Sequence, residues 1–254
     1  MYMTSITGGS MGNNLSLCSS EVEITPNLKI RVPTVGEVLD QEDAYFTLIS
    51  VLTSSPFQFM VQLDDIGIDY AKITHYDLFL IFFPSIAQTD ISILFGDINT
   101  SDFGLYFNNE NQTRVIYSPS QDIVIDELVY NQMATLIRKM NHLKKDNRKP
   151  ANETAREYLL ERERTKLKRA ERRRKRRDYT ESEFEKLVVA LVNQDNFKYD
   201  YDSVQNLSIY NFYQSFKQIQ TKINFDNTMR GVYAGTIDTK KIQDKSCLSW
   251  IPTK

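Results

Sequence analysis

The chain has 254 residues, 41% of them hydrophobic, which is enough for a substantial core. Its two cysteines, two histidines and nine glycines are too few for a disulfide framework, a zinc module or a glycine-rich phosphate loop. The net charge of −2 conceals an asymmetry. The window Glu161 to Arg177, ERERTKLKRAERRRKRR, holds eleven basic residues against three acids and leaves about −10 for the remainder.

Residues 1–20 are rich in Ser, Gly, Asn and Thr without periodicity, and a flexible N-terminal arm is expected there. Alternating apolar and polar residues make short strands of Glu21 to Thr25 and Leu28 to Val32, turned at Pro26 and Asn27. Thr34 with Glu37 has capping-box spacing, so a helix starts there and runs to about Ser54, with a break near Asp40 to Asp43. Ser55 and Pro56 predict a second helix with proline at its first position, ended by Gly67. Thr74 with Asp77 repeats the capping arrangement ahead of LFLIFFP, which Pro84 is expected to stop. The texture from Asp90, ISILFG, FGLYFNN and TRVIYS, predicts a small antiparallel sheet with its hairpin turn at Asn108 to Gln112. Asp126 opens a helix whose Val129, Met133, Leu136, Ile137 and Met140 share one face.

Lys144 to Asn152 is polar, contains Pro150 and is the expected linker. The helix from about Glu153 offers only Tyr158, Leu159, Leu160 and Leu167 as apolar contacts, so it should be largely solvated. Thr180 with Glu183 predicts the cap of an amphipathic helix through Phe184, Leu187, Val188 and Leu191. Ser208 caps the run Ile209, Phe212, Tyr213, Phe216, Ile219 and Ile223, which loosens at the two glycines of MRGVYAGTIDTKKI before the tail LSWIPTK.

The expected fold class is therefore α+β, mainly α. It comprises a helical N-terminal region with a small antiparallel sheet, a long charged connecting helix and a helical C-terminal region. The boundaries are an arm over 1–20, an α+β domain over 21–145, a linker and basic helix over 146–179, and a C-terminal helical region over 180–254.

No residue pattern nominates catalytic, cofactor-binding or metal-binding side chains. His75 and His142 lack companions at ligand spacing, and Asp64, Asp65 and Asp69 fail the calcium-loop pattern and read as a helix end and turn. Asp122 and Asp126 are too ordinary a pair for acid–base work, so a non-enzyme without cofactors is expected. Candidate partner-binding residues are Arg172, Arg173, Arg174, Lys175, Arg176 and Arg177, with Phe212 and Phe216 on the aromatic C-terminal helix. The basic run is either a solvated helix pairing with acids nearby or on a partner, or a rod that neutralises phosphates; it lacks aromatics for stacking and side chains for reading bases. The aromatic helix is either core or a sticky face. The longest apolar run, Leu78 to Pro84, is too short to cross a bilayer and no secretory signal opens the chain, so an intracellular, soluble protein is expected.

The runs VPTVGEVL, DDIGIDY followed by ITHYDLFLIFF, and MRGVYAGTIDTKKI with LSWI resemble proteins of the tail-assembly region of long-tailed bacteriophages and prophages of low-GC Gram-positive bacteria. These are similar to tail assembly chaperones. The resemblance implies a non-enzymatic role in the bacterial host cytoplasm, binding the tape-measure or tail-tube protein, with room for self-association. The strands near residues 90–118 and the long charged helix depart from a small all-helical chaperone. That departure keeps a nucleic-acid-binding phage protein and a structural virion component as alternatives.

Overall fold

The computed structural model describes residues 15–86, 89–108, 113–175 and 182–251, with Asn108, Arg174 and Lys175 as backbone only. Over the described residues the fold is α+β and mainly α, 54% helical, with two small antiparallel sheets. The first is the expected hairpin, β1 (Glu21–Thr25) with β2 (Leu28–Arg31), paired Val22 to Ile30. Its alternation puts Val22, Ile24, Leu28 and Ile30 into the core. Of the expected arm, residues 15–20 are not loose. Leu15 is buried, its carbonyl accepts from Lys139 Nζ at 3.3 Å, and the Leu17 carbonyl accepts from Asn211 Nδ2 at 2.7 Å.

Helix α1 (Val35–Asp40) begins at the expected capping box. Glu37 N donates to Thr34 Oγ1 at 3.2 Å and Thr34 N donates to Glu37 Oε2 at 2.8 Å. After the break at Gln41, α2 (Glu42–Thr53) buries Tyr45, Leu48, Ile49 and Leu52. The next helix is shorter than expected. Ser55 and Gln58 make reciprocal cap-type bonds, but these close only a turn, and α3 spans Met60–Asp65. Gly67, at φ 75°, ends it as expected, with Ile68 N donating to the Leu63 carbonyl at 2.8 Å.

Pro84 does not stop α4 (His75–Ile86). It lies in the last turn, where its missing N–H forfeits a single bond, to the Leu80 carbonyl, and the helix ends two residues on. The ISILFG run is not a strand. Ser92–Phe95 forms the one-turn helix α5, with Ser92 N donating to Asp90 Oδ1 at 2.9 Å. Ile93, Leu94 and Phe95 are buried consecutively, which a strand with one covered face cannot achieve. The second sheet is the meander β3 (Gly104–Asn108), β4 (Thr113–Ser118) and β5 (Ile123–Ile125). The expected hairpin turn lies mostly outside the described residues, although Asn108 pairs with Thr113 across it. Strand β5 was not legible as such in the sequence.

Helix α6 (Glu127–Met140) is capped by Asp126 and buries Met133, Leu136, Ile137 and Met140. It also buries Arg138, whose Nε and Nη2 donate to the Thr53 carbonyl at 3.1 and 2.7 Å. That carbonyl belongs to the last turn of α2, where a cation offsets the negative end of the helix dipole.

After α7 (Glu153–Lys175), α8 (Glu183–Val192) is capped by Ser182, whose Oγ accepts from Glu185 N at 2.7 Å and donates to the Glu42 carboxylate. The expected cap Thr180 lies outside the described residues. Helix α9 (Ile209–Tyr233) starts at Ser208 as expected, but it runs through Gly231 and is terminated by Gly235 at φ 71°.

The N-termini of α1 and α9 meet. Val35 N donates to the Leu207 carbonyl and Ile209 N donates to the Pro33 carbonyl, both at 2.8 Å, so each helix satisfies an otherwise orphan N–H of the other. A Cβ on Gly36 would lie 3.2 Å from the Gln205 carbonyl oxygen, which explains the glycine in VPTVGEVL. The main apolar cluster accordingly draws on residues from Leu15 to Met140 and again from Phe184 to Ile219.

Candidate partner-binding site

Helix α7 has two halves with different surroundings. In the proximal half, Leu160 is buried in a satellite cluster with Met60, Val61, Leu63, Tyr70 and Leu78. Around that contact two arginines clasp the end of α3. Arg156 reaches Asp64 at 3.3 Å, Asp69 at 3.2 Å and its own neighbour Glu153 at 2.6 Å; Arg164 reaches Asp64 and Asp65 at 2.7 Å each. The acids read as a helix end and turn are thus also the docking points for α7. The Asp69 carboxyl is held below its ordinary value by the Ala71 backbone N–H, then by the Arg156 charge. Arg164 is raised by its hydrogen bonds to Asp64 and Asp65. The linker is pinned as well: the Arg148 guanidinium lies 4.3 Å from the centre of the Phe57 ring, and the His75 ring nitrogen Nε2 is 3.0 Å from the Asp146 carbonyl oxygen.

Beyond Arg164 the helix is exposed on every side from Thr165 to Arg173. Those nine residues make a rod of roughly 13 Å at 1.5 Å per residue. Lys166 pairs with Glu163 at 3.2 Å, whereas Lys168, Arg169, Arg172 and Arg173 have no ion pair among the described residues. Lys168 with Arg172, and Arg169 with Arg173, are like charges four residues apart, each pair costing about 0.2–0.5 kcal/mol of helix stability. An anionic surface laid along the rod would reverse that penalty.

Of the predicted partner-binding residues, Arg172 and Arg173 are exposed on this rod. Arg174 and Lys175 continue its backbone, and Arg176 and Arg177 lie outside the described residues. Phe212 is elsewhere and inaccessible. It is 0% exposed, with ring contacts to Phe184 at 5.6 Å and Phe197 at 6.5 Å. Phe216 is half-buried against the same core. The sequence-predicted residues are therefore not one site. His142, at φ 53°, rests against the Tyr210 and Tyr213 rings, and no group of metal-ligating side chains occurs among the described residues. No described helix is long and apolar enough to cross a membrane.

Two surfaces were missed by sequence reasoning. One is the arm beyond Ile219: from Thr221 to Ile251 no described side chain is buried, and Tyr233, Trp250 and Ile251 are exposed. The tail folds back on α9, with Gln218 Nε2 donating to the Trp250 carbonyl at 2.8 Å and Ile237 lying over Gly231. The other is β3, whose Leu105, Tyr106 and Phe107 are all exposed. Its signal was present in the composition of GLYFN, which has apolar residues for both faces of a strand and no charge.

The architecture defines a helix-rich α+β protein whose exposed surfaces include the α7 rod and the C-terminal arm. Residues 174–253 match the family model described as YomV second domain, and the match points to a phage-associated protein. The matched segment holds α8, α9 and the C-terminal arm. No curated protein and no solved structure matches the chain.

Proposed function

We propose that the protein is a non-enzymatic phage morphogenesis factor of the tail assembly chaperone kind. In this reading it acts in the bacterial host cytoplasm and shields an apolar helical face of the tape-measure or tail-tube protein before assembly. The observation that carries the reading is the C-terminal arm. Phe225, Met229, Val232, Ile242 and Leu248 are only half-buried there, and Tyr233 and Trp250 are open to solvent. An amphipathic helix laid against such a surface supplies the missing cover. The arm also carries MRGVYAGTIDTKKI and LSWI, two of the runs on which the resemblance rests, and it lies within the matched residues. Co-expression of the tagged chain with the tape-measure protein is expected to recover a complex that Trp250→Asp with Ile237→Asp weakens. Failure of the unaltered chain to capture it defeats the reading. Mass spectrometry of purified particles then separates a chaperone, which is absent from them, from a structural component.

A second reading is favoured by Lys168, Arg169, Arg172 and Arg173 of the α7 rod, which have no ion pair among the described residues: binding of nucleic acid through phosphate neutralisation. It predicts an electrophoretic shift that falls steeply with salt and disappears when Arg172 to Arg177 are changed to Gln. A shift insensitive to those changes refutes it.

A further inference from the structure

Strand β3 is the outer strand of its sheet, and among the described residues its backbone ladder runs to β4 alone. Natural edges are blunted by lysine, proline, a bulge or a covering element. Among the described residues Gly104–Asn108 has none of these. It carries no charge and no proline, pairs with β4 without a register shift, and leaves Leu105, Tyr106 and Phe107 at 58%, 46% and 57% exposure. Three consecutive exposed residues mean that both faces of the strand are open. On one face the Tyr106 ring packs edge-on to Tyr117 at 5.6 Å and lies over Gly104, where a Cβ would meet it at 2.8 Å. On the other, Phe107 lines an open groove with Leu80 and the exposed Leu128.

We propose that β3 is a self-complementary edge at which a second copy of this chain pairs, β3 against β3, antiparallel about Tyr106. The strand itself identifies the occupant. In that register Leu105 faces the copy's Phe107 twice over, on one face, while the two Tyr106 residues meet on the other and Gly104 faces Asn108. The uncharged strand brings no like charges together, and a two-fold axis through Tyr106 gives the same surface on both sides. Three half-exposed side chains from each copy cover on the order of 600 Å² together, a little over a third of the roughly 1,600 Å² that a standard stable interface buries. The dimer is therefore weak and concentration-dependent, suited to a protein that works in an assembly.

The test uses the full chain with Cys18→Ser and Cys247→Ser. Paired residues on antiparallel strands have Cα atoms roughly 4.5–5.5 Å apart, within disulfide reach. Tyr106→Cys is expected to yield a covalent dimer on mild oxidation, and Val124→Cys on the opposite edge strand β5 is expected to remain monomeric. Mixing the Leu105→Cys and Phe107→Cys chains should give more mixed dimer than either chain gives alone, which fixes the register. Sedimentation equilibrium from roughly 1 to 500 μM, a range suited to a weak interface of this size, should show self-association that Phe107→Lys weakens at least about tenfold. Because the substituted side chains are exposed, folding is checked by far-UV circular dichroism and retained. A chain that stays monomeric throughout, or cross-links equally at Val124, overturns the proposal. So does protection of the β3 amides that appears only when a different protein is added.

Discussion

Replacing Phe212 by alanine separates the two roles that its place on an aromatic helix suggests. The side chain is 0% exposed and contacts the rings of Phe184, Phe197 and Tyr213, with Ile209 at the same helix end bonded to the Pro33 carbonyl. Phe→Ala in a closed core costs about 3–5 kcal/mol through lost transfer energy and the cavity left behind. Because the cluster joins residues on both sides of α7, the loss should appear in the main unfolding transition rather than in a local one. At roughly 2–4 °C per kcal/mol for a chain of this size, the midpoint should fall by roughly 6–20 °C. Phe216→Ala, at a half-buried position, should cost about 1–2 kcal/mol. Urea titration followed by circular dichroism, with a thermal scan, measures both. If Phe212→Ala unfolds within about 2 °C of the parent and instead loses partner capture, the packing argument is wrong and Phe212 is a contact residue.

Other perturbations read other parts of the molecule. Asp64→Asn removes the charge that Arg156 and Arg164 share and leaves one acceptor oxygen where there were two. Faster hydrogen exchange over residues 153–164 is expected, and an unchanged exchange rate refutes the clasp. At alkaline pH the buried phenols matter: burial pushes Tyr45 and Tyr76 up, and Tyr213 up to about 12. The unfolded chain then releases these protons near pH 10 while the folded chain keeps them, so stability falls as pH rises above about 10. The share of phenolate absorbance that belongs to these three rings should appear together with unfolding, not before it. The Asp102 carboxyl is held down to about 2 by hydrogen bonds from Ser120 and Ser118. Its contribution is present above the ordinary carboxylate range and lost as pH falls through about 2, and chemical shifts of the Ser118 and Ser120 amides should follow that titration.

Local chemistry in the sequence determined much of this protein. Thr34 with Glu37, Thr74 with Asp77, Asp126 and Ser208 place helix starts because a cap needs only a side-chain oxygen and a nearby orphan N–H. Gly67 and Gly235 mark helix ends, since only glycine takes that left-handed backbone cheaply. The poverty of α7 in apolar residues foretold its exposure. What periodicity could not carry was anything decided at a distance. ISILFG has strand-like composition, yet three adjacent residues are buried together because the core encloses that turn on several sides. Phe212 and Phe216 look equivalent along their helix, but α8 and Phe197 cover the first and leave the second half open. Asp64 and Asp69 acquire their role only when α7 is laid across them, some ninety residues later. The openness of β3 likewise follows from strand order, which leaves it with a partner on one side, and sequence alone carries no record of which strand stands at the edge.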